Sequence, residues 1–372
     1  MAKKILVTGG AGFIGSHLCD YLLEKGYYVR VLDSLDEQVH GENCLRPSYL
    51  SSHVELIKGD VRDPLAVETA LQDIDIVFHL AARVGVGQSM YEIKDYVSVN
   101  NIGTSVLLEA IIKKPVKKLI VASSMSIYGE GLYKNSKGDV FPGWERNISD
   151  LKRGIWELID ENGQYAKPVP THEGKVPALS SVYALSKYDQ ERLCLITGKA
   201  YSIPVVALRF FNVYGTRQAL SNPYTGVLAI FASRYLNGKS PVVYEDGNQK
   251  RDFINVYDVV RACVLAAEKD EANGQVFNIG SGNSYSILEI ASLLASSMNK
   301  HDMMPEINGR YRAGDIRHCF SDISKAEQLL GFRPEVSIND GLNDLSDWLK
   351  DQMAFDSFEM AGKELEKRGL TV

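Results

Sequence analysis

The sequence predicts an α/β fold, a doubly wound parallel sheet with a smaller mixed α/β lobe after it, and three observations carry that expectation. Short apolar and β-branched runs alternate with segments of helical length. Between the first run and the first helical segment stands Gly9-Gly10-Ala11-Gly12-Phe13-Ile14-Gly15, in the strand-to-helix context that turns a glycine string into a phosphate cradle. Beyond Phe210 the alternation loosens into loops rich in Gly, Asn and Pro. A second lobe placed there closes over the carboxyl ends of the strands, where ligands of such sheets bind.

In chain order, Ile5–Thr8, Tyr28–Leu32, Val54–Lys58, Ile76–Leu80, Lys118–Ala122 and Val205–Phe210 read as strands. The segments His17–Glu24 and Ser105–Ile112 carry the apolar spacing of helices. In the later lobe, helices are expected over Val227–Leu236, Ile287–Met298 and Ser324–Leu330, with short strands at Val242–Tyr244 and Val276–Ile279. From Gly131 to about Pro177 the chain is polar and irregular, with Trp144 and Trp156 and a small helix expected around Ile155–Glu161. A loop of that length reads either as a surface excursion or as a lid over the cleft.

At 372 residues the chain can bury a large core without covalent staples. Its 41 basic and 47 acidic residues give a formal charge of −6, with no basic block. Nucleic acid and anionic membranes are therefore not expected partners. Met-Ala-Lys-Lys runs straight into Ile5, and no stretch approaches the length of a membrane span, so the cytoplasm is the expected compartment. Five scattered cysteines, Cys19, Cys44, Cys194, Cys263 and Cys319, lack any Cys-x-x-Cys spacing and read as reduced thiols, with neither a disulfide framework nor a metal site.

The glycines of the first turn serve different ends. Gly9 permits the tight turn, Gly12 admits a pyrophosphate against backbone N–H groups, and Gly15 allows close helix–sheet packing. The helix N-terminus adds partial positive charge. Asp33, eighteen residues after Gly15, ends the second strand, where a carboxylate accepts from ribose hydroxyls and repels a 2′-phosphate. NAD is expected over NADP, with Arg30 the one nearby cation that weakens the preference. Tyr183 and Lys187 stand four residues apart in Tyr183-Ala-Leu-Ser-Lys187, so on a helix both can reach one bound cofactor.

Taken together, Thr8-Gly-Gly-Ala-Gly-Phe-Ile-Gly15, Gly59-Asp60-Val61, His79-Leu-Ala-Ala82, Asn100 before Gly103-Thr104, Ser123-Ser124-Met-Ser-Ile-Tyr128-Gly129, Tyr183-x-x-x-Lys187, Arg209-Phe-Phe-Asn212-Val-Tyr-Gly215, Arg251-Asp-Phe253 and Arg312-Ala-Gly-Asp315 recur in one order. In these motifs the chain resembles the extended short-chain dehydrogenase/reductase family, specifically its nucleotide-sugar epimerases and dehydratases. The resemblance implies a Rossmann-type NAD-binding domain over 1–212, interrupted by 131–177 and rejoined by 253–280, a nucleotide-sugar lobe over 213–350, and a tail over 351–372. The tail reads as a solvated helix or frayed end without functional information. For the cofactor the resemblance implies Gly9, Gly12, Phe13, Ile14, Gly15, Asp33, Asp60, Val61, Leu80, Ala81, Ala82, Asn100, Tyr183 and Lys187.

It also implies that Tyr183 removes the proton of a sugar hydroxyl, with Ser124 bonded to the same oxygen. A free phenol, with pKa about 10, is only about 0.1% ionised at pH 7, a cost of roughly 4 kcal/mol. The Lys187 ammonium and a positive nicotinamide both favour the phenolate. Asn212, Arg251 and Arg312 match positions that hold a diphosphate, a role that suits the planar guanidinium fork; Arg217 and Asp315 fall in the same substrate-side motifs. The related dehydratases, decarboxylases and 3,5-epimerases place an acid, base or thiol beside the hydroxyl residue. Here Met125-Ser126 stands there, which leaves 4-epimerisation of a nucleoside-diphosphate sugar.

The segments 32–41, 84–91 and 215–226 look most like the branch acting on dTDP-L-rhamnose rather than the UDP-galactose branch. For a 6-deoxyhexose, Val84, Val86 and Met125 are candidates for an apolar pocket at C6. A UDP-hexose 4-epimerase, a net dehydrogenase or reductase, and a dinucleotide-binding module without catalysis are the competing readings. A homodimer through Asn101–Ile112 and Tyr183–Lys199 is implied as well.

Overall fold

Seven runs pair in parallel into one sheet in the computed structural model, which describes residues 3–41, 45–312 and 314–371. They are β1 (Lys4–Thr8), β2 (Tyr28–Asp33), β3 (Glu55–Lys58), β4 (Ile76–His79), β5 (Lys118–Ser124), β6 (Val205–Phe210) and β7 (Val276–Ile279). Their spatial order is β7-β6-β5-β4-β1-β2-β3, so the winding reverses between β1 and β4, where a crevice opens beyond the strand ends. The registers Val7↔Val31 and Val7↔Phe78 fix β1 between β2 and β4.

Period-two alternation sends successive side chains of a strand to opposite faces. Ile5 and Val7 enter the layer of α1 (Phe13–Glu24) and α4 (Val256–Glu268), beside Leu18 and Val260, whereas Leu6 enters the layer of α2 (Gly103–Lys113) and α3 (Val182–Tyr201), beside Leu107 and Cys194. Burial on both faces explains why these strands read as continuous apolar runs. β5 continues past the expected Ala122 to Ser124, which stands at its carboxyl end. The smaller lobe packs helices Val227–Leu236, Ile287–Ser297 and Ile338–Leu349 around Phe231, Leu294 and Leu345.

Two expectations are corrected. No helix covers Ile155–Glu161; a single turn at Ile148–Leu151 and an isolated bridge between Ile159 and Tyr165 stand there instead. The reason is tertiary: Glu157 is drawn to Arg317 and His318, and Asp160 accepts from the N–H groups of Ser136, Asn162 and Gln164, which closes a turn in place of a helix. The rest of 131–177 forms a three-stranded antiparallel sheet, with Leu132–Lys134 between Val140–Pro142 and Lys167–Val169. The final segment is no frayed tail either, because α5 (Phe358–Lys367) buries Ala361 and Leu365.

Cys19, Cys194, Cys263 and Cys319 are buried free thiols; Cys44 lies outside the described residues, as does Ala313 of the Arg312–Asp315 motif. Among the described residues no helix is long and apolar enough to cross a membrane. Nor is any group of three His, Cys, Asp or Glu among them placed to hold a metal ion.

Candidate active site

The glycine turn leaves β1 with Gly9 at φ +72°, a conformation in which a side chain is strained. A Cβ on Gly9 would stand 2.8 Å from the Ala81 backbone nitrogen, and one on Gly15 only 2.3 Å from the Gly9 carbonyl oxygen. Gly12 differs, for its nearest atom is the Gly9 oxygen at 3.4 Å. Gly12 is also the N-cap of α1 and supplies no side-chain cap, so the first-turn N–H groups are left for a ligand. This open, positively polarised corner fits a dinucleotide pyrophosphate.

Asp33 secures the turn from the end of β2. Its two carboxylate oxygens accept from the N–H groups of Ala11 and Leu35, each at 2.9 Å, while its side chain borders the cleft. Arg30 does not disturb the preference for NAD: its guanidinium is bound by Glu55 at 2.6 Å and by the carbonyls of Ala70 and Gln72.

From this corner a cleft of about 890 Å³ runs between the sheet and the smaller lobe. Phe13, Ile14, Asp60, Val61, Leu80, Ala81 and Ala82 border it as well. Ser124, Met125, Tyr183 and Lys187 lie on its floor. Ser181 caps α3 by accepting from the Ala184 N–H, and the Tyr183 N–H donates to Ser89 at 3.0 Å. Tyr183 also meets Tyr96 edge to face.

The electrostatics depart from the sequence expectation. Burial pushes the Tyr183 phenol above its ordinary pKa, opposed by a hydrogen bond with Ser124. Burial also lowers Lys187, to about 8, and its ammonium donates to Gln190 Oε1 at 2.6 Å. A directed chain runs behind it. Gln190 donates to Thr104, His79 Nε2 meets the same hydroxyl at 2.9 Å, and Thr8 meets His79 Nδ1 at 2.8 Å. His79 is neutral here, held down to about 3 by burial and then by Lys187. Beside Ser124, the Ser126 hydroxyl lies at 2.8 Å. The carboxylate of Glu191 is engaged behind the floor by Arg209 at 2.6 Å and Ser123 at 2.7 Å.

Two sequence-derived site residues fall outside the cleft wall. Asn100 is fully buried; its amide clamps the Arg83 backbone and the Ser186 hydroxyl, so it supports the wall from behind. Arg217 turns away with φ +64°, pairs with Asp20 on α1 at 2.7 Å and stacks on Tyr49. An ion pair across the domain seam, not a substrate contact, explains that arginine.

At the smaller lobe, Val84, Asn212, Arg251, Arg312 and Asp315 all border the cleft. Arg251 braces the neighbouring loop by donating to the Arg317 and Ile316 carbonyls. The Oδ1 of Asn212, the Oε1 of Gln249 and the Nε of Arg312 are buried without a partner among the described residues. Polar atoms in that condition are costly unless a ligand meets them. The Arg312 guanidinium lies 4.7 Å from the Tyr244 ring centre.

Sequence reasoning missed Arg83, which holds Asp36 and Asp95 at the cleft edge, and Gln38, which bridges Gln88 to Asn222 across the two lobes. Gln249, Tyr244 and Leu365 were missed as well. Only Gln249, two residues before Arg251, carried a local signal through its motif neighbour.

A family model described as "NAD dependent epimerase/dehydratase family" matches residues 5–142 and 161–280. A dTDP-L-rhamnose 4-epimerase of Burkholderia thailandensis is 36% identical over 361 residues, covering 94% of this chain and 96% of the relative. The crystal structure of a Thermotoga maritima UDP-glucose 4-epimerase with UDP-glucose superposes with TM-score 0.76 at 34% identity, covering 93% of this chain and 98% of the other. A Bacillus cereus UDP-glucuronic acid 4-epimerase, solved with UDP-glucuronic acid and NAD, gives 0.76 at 32% identity, covering 93% and 99%.

Proposed function

The chain belongs to the NAD-dependent epimerase/dehydratase family, an NAD-dependent isomerase of nucleotide sugars, and from that premise we propose that it inverts C4 of dTDP-L-rhamnose, interconverting it with dTDP-6-deoxy-L-talose. One observation carries the choice of reaction: the Ser124–Tyr183–Lys187 floor holds hydroxyl groups at 124 and 126 and, among the described residues, no further free acid, base or thiol beside them. Such a floor supports oxidation and reduction at a single carbon, not elimination or inversion at a neighbouring one. The branch similarity over 36% identity supports the sugar.

Bound NAD supplies reversible hydride transfer at C4. Gly9, Gly12 and Gly15 would hold its pyrophosphate at the α1 N-terminus, and Asp33 would meet its adenosine ribose. Tyr183 removes the proton of the 4-hydroxyl and later returns it, while Ser124 hydrogen-bonds the same oxygen. Lys187, one helical turn away, places positive charge beside the forming phenolate while its own proton is retained, up to about pH 8. Asn212, Arg251 and Arg312 anchor the diphosphate, so the 4-keto sugar can rotate without leaving. Pairing of α2 and α3 with a second copy is part of the proposal: this face exposes apolar side chains, at Ile102 just before α2 and at Leu185 and Ile196 on α3.

The deciding experiment incubates purified protein with dTDP-L-rhamnose, UDP-glucose and GDP-sugars and follows C4 inversion by proton NMR. Inversion of dTDP-L-rhamnose without added NAD is expected. Absence of inversion for every sugar, with NAD bound, defeats the assignment, and a requirement for stoichiometric NAD points to net oxidation. Inversion of UDP-glucose alone selects the second reading, a UDP-hexose 4-epimerase, which the Thermotoga structure favours.

A further inference from the structure

Residues 351–371 lead to and then line one side of the cleft. They are fastened to the smaller lobe by Asp356, whose buried carboxylate meets Arg234 at 3.2 Å and Lys239 at 3.0 Å, and by the Phe355 N–H donating to Ser221. From that anchor α5 runs to the sheet domain. There the Arg368 guanidinium lies 4.3 Å from the centre of the Tyr91 ring, and the Leu365 methyls come within 3.4 Å of where a Cβ on Gly87 would stand. The chain then returns to the diphosphate end, where the backbone of Thr371 pairs with that of Arg312. Phe358, Ala361, Leu365 and Leu370 border the cleft.

Gly87 belongs to the turn Val86–Ser89, whose Ser89 hydroxyl fixes the Tyr183 N–H. Leu365 is therefore packed on the same short turn that positions the tyrosine, and Val84 and Val86, which lead into and open that turn, are exposed.

We propose that Leu365 is a specificity-determining residue, the wall of the sugar pocket that receives the C6 methyl of a nucleoside-diphosphate 6-deoxyhexose, and that 351–371 is the strap that holds this wall in place. The proposal rests on the 6-deoxyhexose reading above. A methyl against Val84, Val86 and Leu365 sheds water without losing a hydrogen bond. A hydroxymethyl there strands its hydroxyl among apolar groups.

The test compares wild type with Leu365→Ser, Leu365→Met and Arg368→Ala, each checked for retained NAD and an unchanged thermal midpoint. Calorimetry gives Kd for dTDP and for dTDP-L-rhamnose, and NMR gives kcat/KM for inversion. Leu365→Ser is expected to lower kcat/KM for dTDP-L-rhamnose by on the order of tenfold or more and to weaken that sugar nucleotide while leaving dTDP binding intact. Leu365→Met restores both, and Arg368→Ala, which frees the strap from Tyr91, raises KM with little change in kcat. Unchanged kcat/KM in Leu365→Ser, or equal weakening of dTDP and the sugar nucleotide, overturns the wall. Wild-type turnover of UDP-glucose but not dTDP-L-rhamnose overturns the methyl assignment through the sugar reading instead, so the two failures are told apart.

Discussion

Tyr183 is held on the cleft floor by three contacts that a phenylalanine keeps or loses selectively. Tyr183→Phe preserves the backbone bond to Ser89 and the edge-to-face packing on Tyr96, and removes the hydroxyl alone. NAD retention should be unchanged and turnover should fall by about 10²–10⁴, the usual contribution of a general base; kcat by NMR and absorbance of the purified protein check both. His79 carries a pH prediction. Its pKa is about 3 in the fold against an ordinary 6.5, so the unfolded chain binds the extra proton between those values. Stability is full above pH 6.5 and declines as pH falls toward 3, with a slope of up to about 1.4 kcal/mol per pH unit for this one proton. His17, lowered to about 4 by burial and then by Arg217, acts in the same direction. Urea unfolding between about pH 7 and pH 4 should show the decline, and His79→Asn should make it shallower.

At the scale of elements, the glycine turn and the segment 131–177 differ in how far their sequences disclose them. The turn was legible because its constraint is local. A Cβ on Gly15 collides with backbone at Gly9 and Gly10, which no side-chain rearrangement relieves. Gly15→Ala is expected to destabilise the protein by about 1–3 kcal/mol and to abolish NAD retention, read from thermal unfolding and from cofactor fluorescence after gel filtration. The segment 131–177 was opaque because its order comes from partners distant in sequence. Fully buried Arg317 joins Glu157 to Glu245 and Asp246, and Arg146 joins Glu245 to Glu130. Removing one member of such a buried cluster strands another charge, so the cluster ties the excursion to the loop bearing Arg312 and Asp315. Neither Glu157 nor Arg317 announces that role in its own neighbourhood.

For the molecule as a whole, the face of α2 and α3 leaves Ile102, Leu185 and Ile196 exposed, and a four-helix contact with a second copy covers them under the proposed dimer. Ile196→Glu is expected to shift the mass seen by light scattering from two chains to one at micromolar concentration; an unchanged mass removes this face as the interface. Much of the architecture was readable beforehand, since two-sided burial imposes continuous apolar runs on β1, β4, β5 and β6. The glycine spacing and the pair Tyr183 and Lys187 were legible as local patterns, and the chemistry expected of them came from the resemblance of the motifs taken together.

The sequence by itself pointed to the sheet, the glycine corner and the pair Tyr183 and Lys187 through signals a turn or a strand long, and to Ser124 only through the resemblance of its motif, since Ser124 stands far from Tyr183 along the chain. Tertiary structure alone decided that Arg217 serves an ion pair with Asp20, that Asn100 works from behind the wall, and that Lys187 is held by Gln190 in a chain reaching Thr8. It alone turned 351–371 from a solvated end into one side of the cleft, since Leu365 acquires its place by packing at Gly87, far away along the chain. Contacts of that separation have no periodicity to betray them, and the sugar's surroundings are built almost entirely from such contacts.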